Sequence, residues 1–303
     1  MMNLEIPAAY KDHLRVGTCS WKYDSWKGLL YDPGTNYHRD DYLVDYSKHL
    51  GTVEVDQWFW SLFPAGPKLP DRRTVESYAA SVPREFVFTV KAPNSITLTH
   101  FYARQPKQDK EYANKPNADF LSVELLERFL ETLKPIRGLL GPIMFQFEYL
   151  NKKKMASRDA FLDRLGKFFD AAPKGYQYAV ETRNPNYLSD VYFEFLRAHG
   201  LAHVFLDGYY MPPIGEVFGK YETGTAGYSV VRLHGPNREE IEKATKKIWN
   251  RVVEPKDAGI GSAVEIVKRN ADQLVVTYVN VNNHYEGSAP LTIERFLDAL
   301  GKA

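Results

Sequence analysis

The chain has 303 residues, 44% of them apolar and 25% charged, with 39 basic against 38 acidic side chains and a formal charge of +1. That balance gives no support to a protein that grips nucleic acid through bulk positive charge, which needs a concentrated basic surface. Cys19 is the single cysteine, so no intrachain disulfide forms, and the cytoplasm is the default expectation. No run approaches the ~18 consecutive apolar residues of a membrane span, and Met1 to Lys11 lacks the plan of a secretion signal.

In chain order, Leu14 to Trp21 reads as strand one and leads into an aromatic loop, Trp21 to Gly28. A helix is predicted over Asp40 to His49. Strand two is Thr52 to Asp56, where period two separates Val53 and Val55 from Glu54 and Asp56. Trp58-Phe59-Trp60 and a Pro/Gly cluster follow, then a short helix over Thr74 to Ala80 and strand three, Phe86 to Lys91. The segment 92–118 is long for a connection after a strand, and such loops tend to be lids, binding loops or disordered excursions. Ser122 to Ile136 is an amphipathic helix, with Leu125, Leu126, Phe129, Leu130 and Leu133 on one side. Strand four is Pro142 to Phe147, followed by a helix over Arg158 to Phe169. Strand five is Tyr176 to Glu181, with a helix over Asp190 to His199. Strand six is Ala202 to Asp207. A Gly/Pro-rich loop covers 208–227 and is too irregular for a long helix. Strand seven is Tyr228 to Leu233, and helical patterns fill 238–252 and about 261–271. The last strand ends in Asn280, Asn282, Asn283 and His284, and a helical pattern over Leu291 to Leu300 closes the chain.

Eight short apolar strands, nearly every one followed by a helical segment, fit a single α/β domain, a (β/α)8 TIM barrel, over residues 1–303. Neither the Gly-x-Gly-x-x-Gly of a dinucleotide fold nor the Gly-x-x-x-x-Gly-Lys-Ser/Thr of a P-loop occurs.

In such a barrel the chemistry lies at the carboxyl ends of the strands. Glu54 and Glu181 are the candidate acid/base residues, with His234 as partner. Lys91, Arg183 and Arg232 are candidates to hold an anionic group. Asp56, His100, Asn282, Asn283 and His284 add polar contacts, and Trp21, Trp26, Trp58 and Trp60 are candidates for an aromatic rim. Glu54, Glu181, Asp207 and His234 form an alternative metal set, but the neighbouring arginines would compete with a cation, so neither a metal nor a cofactor is called. Cys19 alternates with its neighbours so as to face the outer helices with Gly17, as a buried inert thiol. The expected partner is a small polar or anionic ligand at the barrel mouth. Nucleic acid, through Lys107 to Lys115 and the aromatic loops, is the less favoured alternative. A barrel without chemistry is a third reading, and the sequence leaves the oligomeric state open.

Several strand ends resemble one family. The matching pieces are Gly17-Thr18-Cys19-Ser20-Trp21 with Trp26-Lys27-Gly28, and Val53-Glu54-Val55-Asp56 with Phe59. They continue through Phe88-Thr89-Val90-Lys91 with Thr99-His100, Gly141 to Gln146, Glu181-Thr182-Arg183, Val231 to Gly235, and Asn282-Asn283-His284 with Gly287. As an ordered set over nearly the whole chain they resemble the domain of unknown function 72 (DUF72) family, the YecE-like proteins. The resemblance implies a TIM barrel and carries no agreed reaction. Three departures stand out. Asp56 replaces the family's usual Asn, Trp58-Phe59-Trp60 stands where Thr-Phe-Tyr is common, and Phe147-Glu148-Tyr149 stands where strand four usually runs into prolines. Together they imply a bulkier and more acidic pocket.

Overall fold

A computed structural model describes residues 2–38, 41–221 and 224–302. Among these residues eight strands close into one barrel in sequence order, each parallel to its neighbours. Strand β1 is Leu14–Cys19, followed by helix α1 (Asp41–Tyr46); β2 is Thr52–Val55, followed by α2 (Arg72–Ala80). Strand β3 (Val87–Lys91) leads to the short α3 (Asn94–Thr97) and then α4 (Val123–Thr132). The order continues with β4 (Leu140–Phe147), α5 (Arg158–Ala171), β5 (Tyr178–Thr182), α6 (Asp190–Ala198), β6 (Ala202–Gly208), α7 (Ile214–Tyr221) and β7 (Tyr228–Gly235). Helices α8 (Arg238–Thr245) and α9 (Asp257–Asp272) precede β8 (Val276–Val281), and α10 (Ala289–Lys302) follows it. Pairing of β8 with β1, from Leu14 against Thr277 to Thr18 against Val281, closes the ring. The expected single (β/α)8 barrel is the fold.

Period two in each strand divides the core in two. One set, including Val53, Val55, Phe88, Phe145, Phe147, Val231, Leu233 and Val279, is buried beneath the helices. Phe145 meets Phe168 and Phe169 of α5 edge to face, at 5.5 and 5.1 Å between ring centres. The other set fills the barrel itself: Met144, Ala179, Ala202, Val204, Val230 and Tyr278 make a separate apolar cluster. Above it the interior turns polar. Thr89 donates to Asn280 across the barrel at 3.3 Å, and the carboxyl end holds charged residues.

Local chemistry sets the element ends. Ser122 caps α4 by accepting the Leu125 N–H at 3.1 Å, and Pro135 stops the α-helical pattern three residues past its end, leaving a 3-10 turn to Leu139. The predicted helix from Asp40 to His49 is helical over Asp41–Tyr46 and then tightens into a turn; Asp40 lies outside the described residues. Within 208–227, read as loop, α7 forms over Ile214–Tyr221; residues 222 and 223 lie outside the described residues. The 92–118 segment is folded: Asn117 donates to the Ser95 and Leu98 carbonyls, each at 2.7 Å, and His100 pairs with Pro116. No helix among the described residues is long and apolar enough to cross a membrane.

Tyr46 bolts α1 to the barrel. Its hydroxyl accepts the Thr18 N–H and donates to the Thr52 carbonyl, both at 2.9 Å. Beside it, Gly17 brings β1 close against β2, and a Cβ there would lie 1.9 Å from the Thr52 carbonyl oxygen. Relief requires moving backbone in the sheet. Gly17→Ala is therefore expected to lower stability by about 3 kcal/mol, read as a lower denaturation midpoint by circular dichroism.

Candidate functional site

The floor of the site is an ion cluster centred on Arg232 of β7, which is 1% exposed. Its Nε donates to Glu54 Oε2 at 2.8 Å and its Nη2 to Glu54 Oε1 at 2.5 Å. Its Nη1 binds Glu181 and reaches Gln146 Oε1 at 3.4 Å. Arg183 donates from Nε to the other Glu181 oxygen at 3.1 Å. Residues from β2, β4, β5 and β7 are thus joined across the barrel. Burial favours a neutral Glu181, but Arg232, Arg183 and Lys91 outweigh it and hold the carboxyl below its ordinary pKa.

Cys19 lies in the same layer. Its Sγ is 3.5 Å from Glu54 Oε2 and 3.5 Å from His234 Nε2. The expectation that Cys19 faces the outer helices is corrected. Thr18 is the residue that turns outward, to Tyr46, and its neighbour Cys19 points into the barrel. Burial, and then the Glu54 charge, push the thiol pKa up, so it stays protonated.

Above the floor opens a cleft of about 540 Å3, lined among others by Asp56, Phe59, Lys91, Arg183, Tyr209 and His234. This lies within the size range of small-molecule sites, roughly 300–1,000 Å3. A larger groove of about 610 Å3 lies on the helix layer between α5 and α6, lined by surface residues such as Asp163, Lys167 and Glu194. It gathers none of the strand-end residues, so the barrel mouth is the candidate site.

Lys91 places its Nζ 3.8 Å from the centre of the Phe59 ring. Burial first, and then the Arg232 charge, bring its pKa down to about 8. Arg183 stacks on Tyr209, 4.0 Å from the ring centre. Burial and the Glu54 charge raise the Asp56 pKa, against the pull of Lys91 and Arg232. His234 is held well below its ordinary pKa by burial and by Arg232, Arg183 and Lys91, so its imidazole is neutral at pH 7. His284 is clamped between Asn282 Oδ1, 2.6 Å from Nδ1, and Glu242 Oε1, 3.0 Å from Nε2.

The sequence-based candidates therefore fall into three places. Asp56, Lys91, Arg183, His234, Asn282 and His284 line the cleft. Glu54, Glu181 and Arg232 form the floor beneath it, fully paired. Trp21, Trp26, Asn283 and His100 do not line the cleft. Trp21 and Trp26, expected at an aromatic rim, are 1% and 0% exposed, because the loop that carries them folds back onto the core. Trp21 packs on Tyr78, and the Trp26 Nε1–H donates to Asn283 Oδ1 at 3.3 Å. Asn283 also accepts the Ala289 N–H at 2.9 Å, fixing the start of α10. His100 bonds its neighbour Thr99. Trp58 stacks on Tyr78 in the core, whereas Trp60, 59% exposed, stands at the rim with Tyr102. Sequence reasoning missed Tyr23, Tyr209 and Arg238 as lining residues. Tyr209 was findable as the first residue past the Asp207-Gly208 end of β6.

The alternative metal set does not assemble, because Asp207 turns outward and accepts the Tyr285 hydroxyl at 2.7 Å. Among the described residues the group that could hold a metal is Cys19, Glu54 and His234, whose ligand atoms lie within 4.8 Å of one another. Arg232 already occupies both Glu54 oxygens, and the same positive field that lowers the His234 pKa opposes a cation there.

A family model described as "Protein of unknown function DUF72" matches residues 15–303. The chain belongs to the DUF72 family. Similar solved structures include a DUF72 family protein from Thermotoga maritima MSB8, 25% identical, covering 95% of this chain and 99% of that one at a TM-score of 0.65. A DUF72 family protein from Enterococcus faecalis V583 is 20% identical over 94% of this chain and 95% of that one, at a TM-score of 0.63. No curated protein matches the chain.

Two outcomes follow for this DUF72 barrel. Arg232→Met leaves Glu54 buried without its counter-ion and Glu181 with Arg183 alone, and is expected to remove about 3–5 kcal/mol of stability. Adding Glu181→Gln should recover part of that loss, as read by urea denaturation. Lys91→Met has the opposite sign. The folded-state pKa of Lys91 lies below its unfolded value, so the unfolded chain binds more protons between pH 8 and pH 10.5. The burdened ammonium therefore destabilises the fold most below pH 8, and stability rises as pH climbs through that window. Lys91→Met should raise the midpoint at pH 7 by the equivalent of about 1–3 kcal/mol and flatten the pH dependence.

Proposed function

We propose that this chain is an enzyme whose cleft takes a small polar, anionic substrate and cleaves a bond in it by acid/base chemistry, a hydrolase in the simplest case. The observation that carries this reading is an imbalance of pairing. Glu54 and Glu181 are committed to Arg232 below the cleft. At the cleft itself, among the described residues, Lys91 has no carboxylate within 4.0 Å and Arg183 keeps both Nη groups free of hydrogen bonds after giving Nε to Glu181. Unused donors on two cations at a half-enclosed mouth suit a phosphate or a carboxylate.

Asp56 is the carboxyl that the cleft exposes, and its raised pKa favours a group able to give and take a proton. Neutral His234, also in the cleft lining, is suited to accept a hydrogen bond from the ligand. The glutamates act beneath, as fixed charges that orient Arg183 and hold the positive field in place. Trp60 and Tyr102, 6.1 Å apart at the rim, offer apolar surface to the rest of the ligand.

The test is isothermal titration of the protein with inorganic phosphate and with phosphorylated sugars, against Arg183→Ala and Asp56→Asn. Arg183→Ala should weaken anion binding roughly tenfold or more. Asp56→Asn should retain binding and, with any turned-over phosphorylated sugar, lower kcat by about 100-fold or more. Absence of binding by every anion, or unchanged binding by Arg183→Ala, would sink the reading.

A further inference from the structure

Lys91 is arranged unlike a structural lysine. It ends β3 and lines the cleft, yet it is 8% exposed and lies against the face of Phe59. The charged and titratable groups that face it are Glu54 and Asp56 from β2 and its end, Glu181 from β5, and Arg232 and His234 from β7. Among the described residues no carboxylate comes within 4.0 Å of its nitrogen. The nearest competitors for the glutamates are guanidinium groups, which bind carboxylates in a bidentate fork that an ammonium cannot match. An amine kept from water, denied a counter-ion and set near a guanidinium is the arrangement that makes lysine a nucleophile at neutral pH.

We propose that Lys91 forms an imine with the ligand, and that the ligand is a small ketone or aldehyde that also carries a phosphate or carboxylate. This rests on the proposed reading of the cleft as the site where a bond in a small anionic ligand is cleaved, and names a carbonyl compound as the ligand. The Nζ lone pair attacks the carbonyl carbon and a C–N bond forms. The carbonyl π pair moves to oxygen, which takes the Asp56 proton. Nitrogen returns a proton to Asp56. The nitrogen lone pair then forms C=N as the hydroxyl, protonated again by Asp56, leaves as water. Amine, protonated Asp56 and carbonyl become a protonated imine, an Asp56 carboxylate and water. No oxidant or reductant is involved. The positive C=N draws electrons from the neighbouring carbon, so removal of a proton or cleavage of a C–C bond at that carbon is the reaction it serves.

The experiment incubates the full chain with dihydroxyacetone phosphate or with pyruvate, reduces with sodium borohydride, and maps adducts by peptide mass spectrometry. The expected adduct is on Lys91, roughly tenfold above the exposed Lys68 and Lys107, suppressed by inorganic phosphate, and missing in Lys91→Arg. Its yield should reach half its maximum near pH 8. No Lys91 adduct with either probe, or one no stronger than at Lys68 and Lys107, overturns the proposal. Phosphate titration in parallel separates the two readings. Phosphate bound with Lys91 unlabelled removes the imine and keeps the anion cleft. Lys91 labelled without phosphate binding keeps the nucleophile and removes the anion.

Discussion

Arg232 is the constraint on which the top of this barrel depends. Burying a guanidinium and two carboxylates costs several kcal/mol for each ion, and the cluster persists because nearly every donor and acceptor is matched. Glu54 takes the fork, Glu181 takes a third N–H, and Gln146 lies within reach. One side chain from β7 thereby ties together β2, β4 and β5, strands that do not pair with it in the sheet. Hydrogen bonds between neighbouring strands close the ring, and Arg232 links its carboxyl end across the interior.

That arrangement decides what the cleft can be. A barrel end carrying Glu54, Glu181 and Asp56 would be acidic if all three faced solvent. Pairing two of them below the floor reverses the balance above it, and Arg183 and Lys91 become the dominant charges at the mouth. Burial first, and then the same guanidinium that removes their carboxylate partners, weaken the hold of Lys91 on its proton and hold His234 well below its ordinary pKa. Burial together with the charges of the floor thus favours a neutral imidazole, a protonated thiol at Cys19, a carboxyl at Asp56 inclined to keep its proton, and an amine near its titration point.

The architecture was legible because alternation marks each strand and an amphipathic stripe marks most helices. The features missed were those where burial and polarity part company. Gly17-Thr18-Cys19 invites the assignment of Cys19 to the apolar outer layer, but the top of the barrel interior is itself polar and Tyr46 supplies a hydroxyl partner for Thr18 outside. Trp21 and Trp26 sit in a polar-looking loop, but the Tyr31 hydroxyl donates to the Trp21 carbonyl and the Leu30 N–H to the Trp26 carbonyl, folding the loop over its own indoles. Helix α7 was hidden by its glycines and prolines. Pro213 stands just before the first turn, where proline is favoured, and a Cβ on Gly215 would come 2.7 Å from the Ser262 Oγ of α9. That glycine marks close helix packing, and the local sequence carries no sign of a partner helix.

The positions where the chain departs from its family's usual pattern separate along the same line. Trp58 and Phe147 are core residues, 7% and 0% exposed, and answer to packing. Asp56 and Trp60 line the cleft. An asparagine at position 56 could hydrogen-bond but could not deliver a proton. With Glu54 and Glu181 held by Arg232, Asp56 is the carboxyl that lines the cleft among the described residues, and it sits close enough to Lys91 to feel its charge without pairing with it. An ion pair between the two would neutralise both the proton source and the amine. Their separation keeps each chemically available, and it follows from a floor that already satisfies the glutamates and from the Phe59 ring that claims the Lys91 ammonium.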